Sequence, residues 1–176
     1  GRRTPPSMRE QMAELRDQGQ TWRELGLDCL VVQALPTRSA EQTETLVRIL
    51  LKEMDVEVVL ELDPTLLGRD EVASVLSEMP DPVVVRPEAF DGAFGFSEAV
   101  GAIRRLGGYA SRDAHRFSIR VGGTIETDRG PLRGRPLYLL GLRLLERVRS
   151  SIGPEVPVGF SADPEPEDVP RLAEAH

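Results

Sequence analysis

Residues 39–64, SAEQTETLVRILLKEMDVEVVLELDP, hold one complete helix–strand unit. Ser39 with Gln42 three residues on reads as a capping box that opens a helix. Leu46, Ile49, Leu50 and Met54 then recur at helical spacing, which predicts a helix over 40–54. Val56 to Leu62 follows as a strand, and Pro64 stops it. No hairpin signal separates the two elements, so the strand's partners must come from elsewhere in the chain.

Working outward, the same unit repeats. Upstream, Cys29-Leu30-Val31-Val32 suits a buried parallel strand, ended by Pro36 and Thr37. Before it, Arg2 to Pro6 reads as an arm, and Ser7 caps a helix from Met8 to about Gln18 that Gly19 closes. A short helical piece from Thr21 to Leu25 ends at Gly26, with Trp22 packing it onto the body. Downstream, Arg69–Met79 is a helix with Val72, Val75, Leu76 and Met79 on one face. Pro82–Val85 is a further strand stopped by Pro87. Phe96–Arg112 is a helix with Val100, Ile103 and Leu106 inward. Phe117–Val121 is a strand, Pro136 sits in the first turn of a helix running to about Ile152, and Val156–Phe160 is the last strand. A short helix, about Glu167 to Ala175, closes the chain. The arm and first helices fill 1–27, and the strand–helix body fills 28–176.

Five β–α units in succession mean an α/β fold with a parallel sheet covered by helices. Two architectures satisfy that pattern, a doubly wound open sheet and a (β/α)₈ barrel. Five units do not close eight strands, so a barrel reading makes this a partial barrel completed by another chain or by self-association.

Composition removes several function classes. With 176 residues there is room for one domain and little more. The formal charge of −7 argues against a nucleic-acid or anionic-membrane binder, because phosphate attraction needs a basic surface. Cys29 is the sole cysteine, which excludes an internal disulfide, a four-cysteine iron–sulfur cluster and a cysteine zinc site. Two histidines leave no basis for a multi-histidine metal site. No apolar run reaches membrane-spanning length and no signal core follows Gly1, so the cytoplasm is the expected compartment.

In either architecture the chemistry belongs at the carboxyl ends of the strands. Glu61 and Asp63 alternate along one strand and so point to the same face. As inward carboxylates they suit acid–base work; the plainer and favoured reading pairs Glu61 with an arginine and makes Asp63 the cap of the turn at Pro64. Arg120 precedes Gly122-Gly123-Thr124, a turn whose backbone amides suit a phosphate, although a positive φ explains the glycines equally well. His115 sits before a strand, away from that end. Cys29 reads as a buried small hydrophobe, and Met12, Met54 and Met79 read as core. Residues 128–136 form the longest irregular stretch, with arginines at 129, 133 and 135, and suit either a lid or an ordinary solvated loop. No residue qualifies as catalytic and none as a metal ligand.

Leu60–Gly68, LELDPTLLG, resembles the VKLNPTLLG strand of a group of large iron–sulfur flavoproteins, the selenate-reductase and glutamate-synthase-like proteins. Their barrel is similar to that of dihydroorotate and dihydropyrimidine dehydrogenases. Four further strings fall in the same order. Phe96–Val100 with Ile103–Leu106 resembles FEDAVPMLRRL, and Phe117–Val121 resembles FGVKLTNT. Gly134–Leu140 resembles SGRALYPLT, and Pro157–Asp163 resembles ISYSGGAD. The resemblance runs from about Cys29 to His176 and implies the carboxyl-terminal part of a TIM-type barrel.

That resemblance implies an oxidoreductase barrel that binds FMN, with Asp63, Arg120, Gly122, Gly123, Thr124 and Ser161 on the cofactor side. The chain departs from the family at several of these places. The lysine of VKLNP is Glu61, the lysine of VKLTNT is Arg120, and SGGAD has become Ser161-Ala162-Asp163. The family's cysteine after an earlier strand has no counterpart in Ala34 to Arg38. The module is therefore expected not to be self-sufficient. Two alternatives stand beside it: a degenerate scaffold or assembly domain of a larger complex, and a phosphate-ligand enzyme built on Arg120, Gly122 and Gly123.

Overall fold

A computed structural model of the chain describes residues 8–33, 39–80, 83–91 and 95–174. The expected arm at Arg2 to Pro6, the Ser7 cap, the stop at Pro36 and Thr37, and the residues Pro82 and Ala175 lie outside the described residues.

The elements follow in the order α1 (Met8–Glu24), β1 (Cys29–Gln33), α2 (Ala40–Met54), β2 (Glu57–Leu62), α3 (Arg69–Ser77), α4 (Phe96–Arg112), β3 (Phe117–Val121), β4 (Glu126–Thr127), β5 (Gly130–Pro131), α5 (Arg135–Arg149), β6 (Val158–Phe160) and α6 (Val169–Glu174). Short 3₁₀ turns lie at Pro64–Leu67, Pro87–Phe90 and Pro166–Asp168. Four strands form one parallel sheet in the order β1-β2-β3-β6, and β4 and β5 form a small antiparallel hairpin. This is the α/β partial-barrel architecture expected from the sequence.

The sheet has two unlike faces because successive side chains alternate. Val32, Val58, Leu60, Leu62, Ile119, Val121 and Val158 enter one continuous apolar core with the helices. That core takes Val47, Leu50, Leu51 and Met54 from α2, Ile103 and Leu106 from α4, and Leu140, Leu144 and Leu145 from α5. Val31 and Val59 alternate with those strand residues and lie outside the core. They belong to the other face, which in a barrel is the interior.

Local signals explain most of the boundaries. Ser39 and Gln42 form the capping box at α2, and Asp55 closes that helix in the left-handed region at φ 51°. Gly19, however, does not end a helix. α1 runs on to Glu24, because Gly19 is where it meets the end of α2: a Cβ there would lie 2.5 Å from the Met54 carbonyl oxygen. Gly26, at φ 76°, is the actual turn. Trp22 packs against the core as expected.

Three expectations need correction. Val83–Val85 joins no strand of the main sheet, since β2 pairs directly with β3 and leaves no slot between them. It lies instead beside the hairpin, through an antiparallel bridge from Val85 to Thr127 and a bond from the Asp128 N–H to the Val84 carbonyl at 3.0 Å. Its three valines match a strand locally, and only the pairing of β2 decides where they go. Cys29 is exposed rather than buried, because β1 is an edge strand and Cys29 faces the uncovered side. Of the three methionines read as core, Met54 alone is fully buried; Met12 and Met79 are half-buried near helix ends.

Candidate functional site

Register places four residues side by side across the uncovered face, near the carboxyl ends of the strands. Gln33 is paired with Glu61, Glu61 with Arg120, and Arg120 with Gly159. Cross-strand neighbours of this kind are close enough for their side chains to bond.

Glu61 is the centre of the row. Its carboxylate is 7% exposed, yet both oxygens are satisfied. Gln33 Nε2 donates to Oε1 at 2.9 Å. Arg120 Nε donates to Oε2 at 2.8 Å, and Arg120 Nη2 reaches the same oxygen. A buried carboxylate persists only when paired and hydrogen-bonded in this way. Arg120 is 35% exposed, so its guanidinium still reaches the open face. Lower on that face, the Ser118 hydroxyl donates to Glu57 Oε1 at 2.8 Å.

Asp63 follows Glu61 at the strand end and turns to its own chain. Its Oδ1 accepts the Thr65 N–H at 2.8 Å and also the Thr65 hydroxyl, which caps the 3₁₀ turn at Pro64. Burial pushes its carboxyl above the ordinary value, against the Thr65 hydrogen bonds that pull it down, and the Glu61 charge adds to the rise. Glu61 with an arginine and Asp63 on the turn is the plainer of the two arrangements the sequence allows.

Gly122 and Gly123 complete the strand end. Gly122 is buried, and a Cβ there would collide with Ser161 Oγ and lie 3.2 Å from Glu61 Oε2. Gly123 adopts φ 76°, a conformation that favours glycine. Ser161 is tied to β3 through its N–H on the Val121 carbonyl at 2.8 Å. Asp63, Arg120, Gly122, Gly123 and Ser161 thus gather around one strand-end cluster. Thr124 leaves it: its hydroxyl donates to the Leu132 carbonyl at 2.8 Å, at the base of the hairpin. Gln33 is the member that sequence reasoning did not single out. The signal was its odd-numbered alternation with Val31 and Cys29, but the β1–β2 register that brings it to Glu61 is invisible locally.

The neighbouring rim is built from further internal pairs. Asp163, at φ 44°, accepts the Gly134 N–H with Oδ2 at 2.9 Å, at the start of α5. Arg135 bonds Asp168 at 2.7 Å and stacks over the Tyr138 ring at 4.6 Å. Burial raises the Asp168 carboxyl, but bonds from Arg135, the Glu165 backbone and Tyr138 outweigh it and hold the group below its ordinary value. Much of 128–136 is therefore hairpin and helix start rather than free loop. His115 stacks on Tyr109 at 5.8 Å between centroids, away from the strand ends. Partial burial pushes the Cys29 thiol up, with Glu57 and Asp28 adding to it. Among the described residues no group of three metal-ligating side chains comes together, and no helix is long and apolar enough to cross a membrane.

FMN, which the resemblance implies, can be tested against this geometry. Its phosphate needs open backbone amides and an available cation. Here Arg120 is bound by Glu61, the gap beside Gly122 is filled by Ser161, and the Gly134 amide is taken by the Asp163 carboxylate. These residues do not fit the phosphate of FMN.

Three comparisons place the chain among known proteins. It matches the family model described as Oxidoreductase YgfK, N-terminal TIM-barrel domain, over residues 30–176. It is 26% identical over 106 residues to "Putative oxidoreductase YgfK" of Escherichia coli (strain K12), and to the same degree to the protein of that name in Escherichia coli O157:H7. The aligned stretch is 58% of this chain and 10% of either relative, so the chain spans about a tenth of the length of the curated relatives it matches. No solved structure matches.

Proposed function

We propose, from the premise that the chain belongs to the family of the N-terminal TIM-barrel domain of oxidoreductase YgfK, that it is a barrel module of an FMN-type oxidoreductase which does not itself anchor the cofactor. Its share of the site is the Gln33–Glu61–Arg120 row. That row presents a fixed, charge-balanced floor on the interior face, with the Arg120 guanidinium partly open above it. The observation that carries this reading is the Glu61–Arg120 pair, which uses the strand-end cation internally. FMN would supply two-electron redox chemistry when bound, and the described residues do not hold its phosphate.

A second reading has its own support. Asp163 places a carboxylate on the Gly134 amide, where an anionic ligand would otherwise meet the start of α5. That favours a degenerate barrel kept as a scaffold or assembly domain. Titration of FMN with the chain, followed by flavin fluorescence, tests both. Neither reading expects saturable quenching by this chain alone. Saturable binding that Arg120→Ala abolishes overturns the claim that this chain does not hold the phosphate.

A further inference from the structure

We propose that Gln33 is a positioning residue: by holding one oxygen of Glu61, it sets the direction in which Arg120 presents its guanidinium to the interior face. The proposal rests on the reading that the Gln33–Glu61–Arg120 row is this chain's share of the site, and it names the residue that sets the row.

The way the Glu61 carboxylate is divided carries the argument. An arginine beside a carboxylate commonly sends two parallel N–H bonds to two separate oxygens. Arg120 does not. Its Nε and its Nη2 both reach Oε2. Oε1 is already taken by Gln33 Nε2 at 2.9 Å, from the strand on the opposite side. Three donors thus share two oxygens, and Gln33 decides which oxygen is left for the arginine. Register makes this possible, since Glu61 lies between Gln33 and Arg120 on adjacent strands.

The surroundings add no rival. Among the described residues, Gln33 and Arg120 are the side chains bonded to Glu61. Gly122 and Gly123 lie against the carboxylate without a side chain: a Cβ would stand 3.2 Å from Oε2 at the first and 3.8 Å from Oε1 at the second. Asp63, next along the same face, turns Oδ1 to Thr65. On the far side of Arg120 the paired residue is Gly159, where a Cβ would lie 3.9 Å from Arg120 Cγ. With no side chain at that position to brace the arginine, its aim is set from the Glu61 side. Nη1 takes part in neither bond to Glu61, and it is the part of the half-exposed guanidinium left for the interior.

Removing the Gln33 donor leaves Oε1 of a buried carboxylate without a partner, which is costly. Turning the carboxylate until both oxygens face the guanidinium satisfies Oε1 again. The guanidinium swings with it, and the direction of Nη1 changes.

Side-chain NMR of the arginine-labelled chain reads that direction. The Arg120 Nε–H and Nη signals are assigned by their loss in Arg120→Lys. Gln33→Leu keeps the bulk of the side chain and removes the donor, and Gln33→Lys restores a donor of similar reach. The Leu variant is expected to shift the Arg120 signals, and the Lys variant to return them toward their wild-type positions. In the wild-type chain, one Gln33 Nε2 proton is expected at a displaced, slowly exchanging position. Three results overturn the proposal: a Gln33→Leu chain that loses thermal stability while the Arg120 signals stay in place, a shift that Gln33→Lys does not reverse, or two ordinary, rapidly exchanging amide protons at Gln33 in the wild type, which needs no variant. Saturable FMN binding contradicts the functional reading above and leaves these outcomes as they stand, because they are read on the free chain.

Discussion

Arg120 lies beside Glu61 across the β2–β3 pair, its Nε 2.8 Å from an oxygen of a carboxylate that is 7% exposed. The pair is asymmetric, since Arg120 keeps broad contact with solvent and Glu61 keeps almost none. Losing the arginine therefore strands a buried charge, whereas losing the acid's charge releases a cation that water can reach.

Arg120→Ala is expected to cost about 3 kcal/mol, the usual penalty for breaking a buried pair from one side. Glu61→Gln keeps the bond geometry without the charge and is expected to cost about 1 kcal/mol. Urea unfolding midpoints at neutral pH check the order. Equal losses for the two variants contradict it.

Gly19 carries a packing prediction. A Cβ there would lie 2.5 Å from the Met54 carbonyl oxygen and 2.8 Å from its Cα, both backbone atoms that do not move aside. Gly19→Ala gains helix propensity of about 1 kcal/mol. Overpacking of about 1–3 kcal/mol opposes it and is expected to win, so the thermal midpoint falls. A raised midpoint means α1 does not sit against α2 at this point.

Asp63 carries a pH prediction. Its carboxyl is raised above 3.8 in the folded chain, so the folded state holds the proton more tightly than the unfolded one. Stability therefore falls as pH rises from the unfolded-state value through the folded-state value, and this penalty is fully present above both. Asp63→Asn keeps an oxygen for the Thr65 N–H and removes the titration. Wild type is expected to gain on the variant as pH is lowered from neutral toward about 4. Urea midpoints of both chains across that range check the sign.

Thr127 locks the hairpin against which Val83–Val85 lies. It is 2% exposed, its hydroxyl donates to the Gly130 carbonyl at 2.6 Å, and it accepts the Arg129 N–H at 3.1 Å. Thr127→Val removes both bonds. The expected loss is about 1–2 kcal/mol, felt locally. In hydrogen exchange, the amides of Arg86 and Asp128, which bond Glu126 and Val84, are expected to lose protection while β2 and β3 keep theirs. Unchanged exchange at those two amides contradicts the docking.

Much of this fold was legible where the signal is local. The capping box at Ser39, the bounds of α2, α4 and β3, and the turn cap at Asp63 follow from spacing and side-chain chemistry. What escaped depends on distant partners. Gly19 looks like a helix stop until Met54 is beside it. Val83–Val85 looks like a sheet strand until β2 takes β3. Cys29 looks buried until β1 proves to be an edge with one face uncovered. At the site, the favoured partner type for Glu61 was readable, but not that it would be Arg120 with Gln33 on the other side, because register across β1, β2 and β3 fixes both.

The central claim is that the strand-end cation is used inside the chain and is not offered to a phosphate. The Arg120 Nε–H resonance reads this directly. A proton bonded to a buried carboxylate is expected to give a distinct, slowly exchanging signal that Glu61→Gln shifts. Added inorganic phosphate or FMN is expected to leave that signal in place. A saturable shift of the Arg120 signal with either ligand would contradict the account.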